Sequence, residues 1–157
     1  MSARTAAYEA ERKDGILENY PVIAAEIIYK GTPVFTRAAS GHAYSNDGTT
    51  NTLAAGDVFV GICEETVDNS AGAAAAKDVV VRTKGTFLLP ILGTVTQAKH
   101  GDPIYVNNVS DDAAVTLTTD VNPNVQARVG TLRKYVTSST GWVNIDLFVD
   151  QVAAVVA

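Results

Sequence analysis

From Pro21 to the end of the chain, no stretch keeps an apolar residue at every third or fourth position for the length of a helix. The apolar residues come instead in short runs, which is the pattern of strands. One run spans 22–29 and ends at Lys30-Gly31. Between Asp57 and Glu65 the alternation is strict, with Val58, Val60 and Ile62 expected on one face and Phe59, Gly61 and Cys63 on the other. Further runs cover 79–83, 86–89, 104–106, 115–118, 127–136 and 142–149. Turn formers stand between them: Ser45-Asn46-Asp47-Gly48, Asn107-Asn108, Asp111-Asp112, Asn122-Pro123-Asn124 and Ser138-Ser139-Thr140-Gly141. Composition agrees, since 46 of the 157 residues are Val, Ile or Thr against 21 that are Leu, Met, Glu or Lys. Branched Cβ atoms lose rotamer freedom in a helix and pack well on a pleated sheet. A chain of this length forms one domain, here expected to be a small barrel or sandwich of strands over 21–149.

Three segments depart from the strand pattern. Residues 1–20 are polar and helix-favouring until Ile16 and Leu17, with Gly15 as a stop, and read either as an N-terminal arm or as a short surface helix docked on its own domain, the arm being the reading taken forward. Asp68-Asn69-Ser70-Ala71-Gly72 and Ala73 to Ala76 read as a long exposed loop with room for one helical turn. Residues 150–157 form a tail whose last six are wholly apolar, so they pack on the domain or on a neighbouring chain. There is also an internal echo. Gly31-Thr32-Pro33-Val34-Phe35, Gly56-Asp57-Val58-Phe59 and Gly101-Asp102-Pro103-Ile104-Tyr105 each place a glycine and a turn residue before an aliphatic and an aromatic residue. The spacing is irregular, so this is no solenoid; it reads as a glycine turn feeding a strand.

Charge and chemistry narrow the function. The net charge is −5, which argues against nucleic acid and acidic membrane surfaces as partners. No apolar run matches a secretory signal or a membrane helix, and the single cysteine, Cys63, allows no internal disulfide; an intracellular folding site fits both. His42 and His100 stand far apart without a paired ligand, so a zinc site is not expected. Asp111, Asp112, Asp120, Asp146 and Asp150 form no calcium-loop pattern and read as turn carboxylates. Cys63, on an alternating strand, reads as a small buried residue. No nucleophile elbow, phosphate loop or dinucleotide fingerprint occurs, so neither catalysis nor a cofactor is expected. The remaining reading is an interaction protein that uses its chain ends to reach neighbours.

The motifs, taken in order, resemble a known family. Gly31-Thr32-Pro33-Val34-Phe35, then 56–65, then 79–87 with Pro90, then 101–106, Val129-Gly130-Thr131-Leu132 and Val143-Asn144-Ile145-Asp146-Leu147 are similar to the bacteriophage head decoration, or capsid cement, proteins. The resemblance covers about residues 30–147 and implies a small β-barrel or β-tulip-like domain with an extended N-terminal arm. It implies a virion protein, made in the host cytoplasm, on the outer surface of an expanded capsid. Its partners would be the major capsid protein and two further copies of itself, as trimers at three-fold and quasi-three-fold positions. On that reading Tyr8, Ile16, Leu17 and Tyr20 are the arm's anchors, because apolar residues in a polar arm need burial. Val152, Val155 and Val156 of the tail are assigned to oligomer contacts. The alternative from another class is a trimeric β module that binds a receptor or a carbohydrate.

Overall fold

The structure is a computed structural model, and it describes residues 16–46, 51–92, 94–107, 115–117, 125–145 and 153–154. Among the described residues the regular structure is β-strand apart from one 3₁₀ turn at Gln97–Lys99. The strands are β1 (Leu17–Pro21), β2 (Glu26–Ile28), β3 (Pro33–Thr36), β4 (Ala43–Ser45), β5 (Val58–Cys63), β6 (Val67–Asn69) and β7 (Asp78–Arg82). There follow β8 (Gly85–Leu92), β9 (Pro103–Asn107), β10 (Val115–Leu117), β11 (Val125–Thr137), β12 (Thr140–Ile145) and β13 (Ala153–Ala154).

They form three sheets. The first has the order β1-β7-β5-β3-β4, and β2 and β6 make a two-stranded sheet of their own. In the largest, pairings run β12–β8–β10–β9–β11 and return from β11 to β12, with β13 added beside β11. The pairings thus link five strands in a cycle. Two long strands make it possible by changing partner. β8 lies antiparallel to β12 from Gly85 to Pro90, then passes in parallel to β10 at Ile91 and Leu92. β11 pairs with β9 over Gln126–Thr131 and with β12 over Gly130–Thr137.

The core has two parts. Phe35, Tyr44, Phe59 and Ile62 of the first sheet meet Leu89, Ile91, Ile104, Val129, Leu132 and Val143 of the largest. Phe35 stands at its centre, with ring centroids 5.5 Å from Phe59 and 6.0 Å from Tyr44 in tilted pairs. The second part lies on the other face of the first sheet, where Val34, Val60, Cys63, Val79 and Val81 pack with Val22 and Ile28. A sheet covered on both faces has no solvent side, and β3, β4 and nearly all of β5 are accordingly buried.

The internal echo proves to be one turn used three times. The N–H groups of Thr32, Asp57 and Asp102 donate to the carbonyls of Tyr29, Ala54 and Lys99, each three residues back, at 3.2, 3.1 and 3.0 Å. The third residue of each turn is Gly31, Gly56 or Gly101, at φ of 87°, 91° and 88°. That is a type II turn, whose third position favours glycine because a Cβ there is strained. Two of these turns extend into a larger shared unit. Gly31 donates to Cys63 O and Cys63 donates back to Thr32 O; Gly101 and Asp102 make the same exchange with Leu132. Downstream, Pro33, Val34 and Phe35 stand opposite Ile62, Gly61 and Phe59, whereas Pro103, Ile104 and Tyr105 stand opposite Thr131, Gly130 and Arg128. Each partner strand skips a residue, Val60 in one and Val129 in the other, so both sheets carry the same turn, strand and bulge.

The bulge corrects the reading of 57–65. An extra residue reverses which face the following side chains take. Phe59 and Ile62 therefore share the main core, while Val58, Val60 and Cys63 share the second. Cys63 is not on the face of Phe59. The 22–29 run is likewise not one strand. Val22 makes only an isolated bridge to Ala43, Ala24 and Ala25 turn, and β2 starts at Glu26. The cause lies in 68–77, which takes the backbone groups a strand partner would have used. Ala75 N donates to Val22 O, Val22 N to Lys77 O and Ala25 N to Gly72 O. The loop expected over 68–76 starts later, because Asp68 and Asn69 belong to β6 and Asn69 is buried; the side chains of 70–77 are mostly exposed, no helical turn forms, and the segment is fastened along its length.

Gly61 and Gly130 sit at these bulges because a neighbouring strand passes close by. A Cβ on Gly61 would lie 2.5 Å from Arg82 O, and one on Gly130 would strike Asn144 O. We expect Gly61→Ala and Gly130→Ala each to cost about 3 kcal/mol, against about 1–2 kcal/mol for Gly31→Ala, which has open space around it and only backbone strain to bear. Urea unfolding of the three variants measures the difference.

Candidate functional site

The arm candidates separate. Tyr8 lies outside the described residues. Leu17–Pro21 is an edge strand, with Leu17 opposite Arg82 and Pro21 opposite Asp78, and the pairing begins one residue earlier, where Thr83 N donates to Ile16 O. The sheet thus takes in the last residues of the stretch read as an arm. Tyr20 packs on its own domain's second core, whereas Ile16 and Leu17 remain 46% and 45% exposed. Of the tail, Ala153 and Ala154 pair with Gln126 and Val125 of β11 in the same chain. Val152, Val155 and Val156 lie outside the described residues.

The residues weighed for chemistry have structural roles. His100 Nε2 accepts the N–H of Tyr135 at 3.1 Å, and the His42 carbonyl closes the β3–β4 turn by accepting Arg37 N at 3.0 Å. Among the described residues no three His, Cys, Asp or Glu side chains stand together to hold a metal. The five aspartates considered for calcium lie outside the described residues. Cys63 is buried and its thiol donates to Glu65 O at 3.0 Å; burial pushes it up to about 11. A thiol protonated at neutral pH is a poor nucleophile. On the surface, Arg82 binds both carboxylate oxygens of Glu64, at 2.8 and 3.0 Å, and holds that carboxyl below its ordinary range.

Sequence reading missed a buried polar cluster beneath the 51–57 segment. Asp57, 2% exposed, accepts four donors: Arg37 at 2.8 Å, Tyr44 OH at 2.5 Å, Ala38 N at 3.0 Å and Ala54 N at 3.2 Å. The Arg37 guanidinium also lies 3.8 Å from the Tyr44 ring centroid and donates to Thr52 O at 2.6 Å. Asn51 joins this group to Glu26, whose carboxylate also accepts Ser45 N and Oγ. Burial, then the bond to Asp57, pushes the Tyr44 phenol upward, against the pull of Arg37. The cluster is saturated and enclosed, so it serves as a brace. Its only sequence signal was the turn aspartate of the second Gly-x motif.

A second polar feature is a cleft of about 330 Å³ lined by Asp68, Asn69, Ser70, Gly72 and Lys77, among others. Asn69 Nδ2 donates to Ile23 O and Ala73 O, tying the loop to the chain before β2. Its Oδ1 has no hydrogen-bond donor and occupies the place a Gly72 Cβ would take. This arrangement anchors the loop.

The surface feature with binding character is on the largest sheet. Alternation along β8 turns Leu89 and Ile91 inward and leaves Leu88, Pro90 and Leu92 exposed. β12 does the same, burying Val143 and Ile145 and exposing Trp142. Leu88 and Trp142 face each other in register and are 50% and 38% exposed. Thr86 and Asn144 close one end of the row with a side-chain hydrogen bond, and exposed Val136 stands at the β11–β12 turn beyond the other. Apolar side chains paired across the open face of a sheet form a patch that a partner can cover.

The raised Cys63 and Tyr44 values set a pH dependence. The unfolded thiol ionises near 9 and the folded one near 11, so its contribution is complete below pH 9 and is lost as pH rises toward 11; Tyr44 adds loss in the same direction. Urea midpoints of the wild type should fall over that window, and Cys63→Ala and Tyr44→Phe should each flatten the fall. Asp57→Ala, which leaves the Arg37 charge without its buried partner, should cost about 3–5 kcal/mol at neutral pH. Comparison with protein-family models and with curated protein sequences finds no match to this chain.

Proposed function

We propose that this chain is a non-catalytic structural protein that binds the outer surface of an expanded phage capsid and clamps neighbouring capsid subunits. What carries the reading is the ordered set of motifs between Gly31 and Leu147, similar to the head decoration proteins. The fold supports it in a coarser way. Strands braced by a buried polar cluster make a rigid body, and the Leu88–Trp142 row gives that body an apolar face to set against another protein. On this reading the chain sits on the virion exterior as a homotrimer. Each trimer touches several subunits at once, and weak single contacts gain through effective concentration.

The arm's role takes a narrower form once β1 is known. Ile16 and Leu17 are its exposed apolar residues, and Tyr20 belongs to the body. The test mixes the purified chain with expanded empty phage heads and images them by electron microscopy. Added density at the three-fold and quasi-three-fold positions is expected. Heads left bare overturn the reading, and glycan binding in their place transfers the chain to the receptor- or carbohydrate-binding class. A variant lacking residues 1–15 and carrying Ile16→Ser and Leu17→Ser changes no buried side chain of β1, so it should keep the wild-type far-ultraviolet spectrum and lose head binding. If that variant still saturates the heads, the arm is not the anchor.

A further inference from the structure

We infer that the outer face of β8, β12 and β11 docks a protein surface made of apolar side chains bordered by carboxylates. The inference stands apart from the capsid reading, because it concerns what the face recognises and not where the chain resides. The charge distribution is its basis. The chain is acidic, at −5, yet β8, β11 and β12 contain no Asp or Glu, and β11 carries Arg128, Arg133 and Lys134.

A bulge places two of these cations beside the apolar row. Leu132 pairs with Val143 and Lys134 with Trp142, so Arg133 is the extra residue, and both Arg133 and Lys134 are exposed. Leu88, Trp142 and Leu92 therefore offer an apolar centre with a cationic margin on one side. Interfaces bury such a centre and set charges of opposite sign around it. A second copy using the same face would bring the same cationic margin and no carboxylate from β8, β11 or β12 to pair with it, which disfavours an isologous dimer here. Two cations are also few for a phosphate backbone or an anionic bilayer, where each neutralised charge adds only a small increment.

Trp142 is the chain's only tryptophan, so its fluorescence reports directly on covering of this face. The probe is a synthetic amphipathic helical peptide whose leucine stripe is flanked by glutamates, compared with a twin carrying lysines in their place. Titrating the full chain with the glutamate peptide should shift Trp142 emission to the blue and protect it from acrylamide. The lysine twin should bind about tenfold more weakly or worse. The double variant Arg133→Glu, Lys134→Glu changes exposed residues only and should reverse that preference at an unchanged circular dichroism spectrum. Equal binding of the two peptides overturns the inference, as does no shift with the glutamate peptide. Tighter binding of oligothymidylate or phosphatidylserine vesicles than of the glutamate peptide overturns it too. A blue shift produced by raising the protein's own concentration makes the occupant a second copy.

Discussion

The buried carboxylate of Asp57 is the constraint on which much of this fold depends. It receives donors from Arg37 and Ala38 just after β3, from Tyr44 of β4 and from Ala54 before β5, so one side chain ties together the ends of strands that the first sheet also pairs. A carboxylate so placed is tolerable only when fully paired, because the cost of removing it from water is otherwise several kcal/mol. Phe35 and Tyr44 pack beside it in the main core, and the saturated cluster lets a polar plug close the apolar interior. Glu26, reached through Asn51, extends the brace to the two-stranded sheet.

Around that brace the chain repeats one device. A type II turn leads into a strand, the glycine and its successor exchange hydrogen bonds with the partner strand, and the partner bulges at a Val-Gly pair. In the first sheet the bulge sends Val60 and Cys63 to one face and Phe59 and Ile62 to the other, so both faces acquire apolar side chains and both are covered. In the largest sheet a further bulge sets Arg133 and Lys134 side by side on the exposed surface. Bulges thus decide which faces become core and which remain for a partner.

Several of the described residues weighed for chemistry are engaged in holding the fold together. Cys63 and Tyr44 are held protonated, His100 accepts a backbone N–H, and the Glu64–Arg82 pair fastens neighbouring strands. Among the described residues, the exposed apolar side chains include two groups: Ile16 and Leu17 at one sheet edge, and the Leu88–Trp142 row on the other sheet. Both are carried on strands, so they are presented rigidly and lose little conformational freedom when a partner covers them.

By itself the sequence determined the class of the fold, most strand positions and the three glycine turns. These follow from local rules: branched Cβ atoms favour pleated backbone, and a type II turn favours glycine at its third position. Cys63 was legible as a buried residue, because alternation places a small side chain inside. Only the tertiary structure decided which face each residue takes after a bulge, since the extra residue is defined by the partner strand. The break in the 22–29 run is of the same kind, for it depends on a loop more than fifty residues later claiming Val22's hydrogen bonds. The Asp57 cluster and the Leu88–Trp142 row unite residues 20 and 54 positions apart, Arg37 with Asp57 and Leu88 with Trp142. Separations of that length carry no local signal, and the pairing of strands alone brings such residues together.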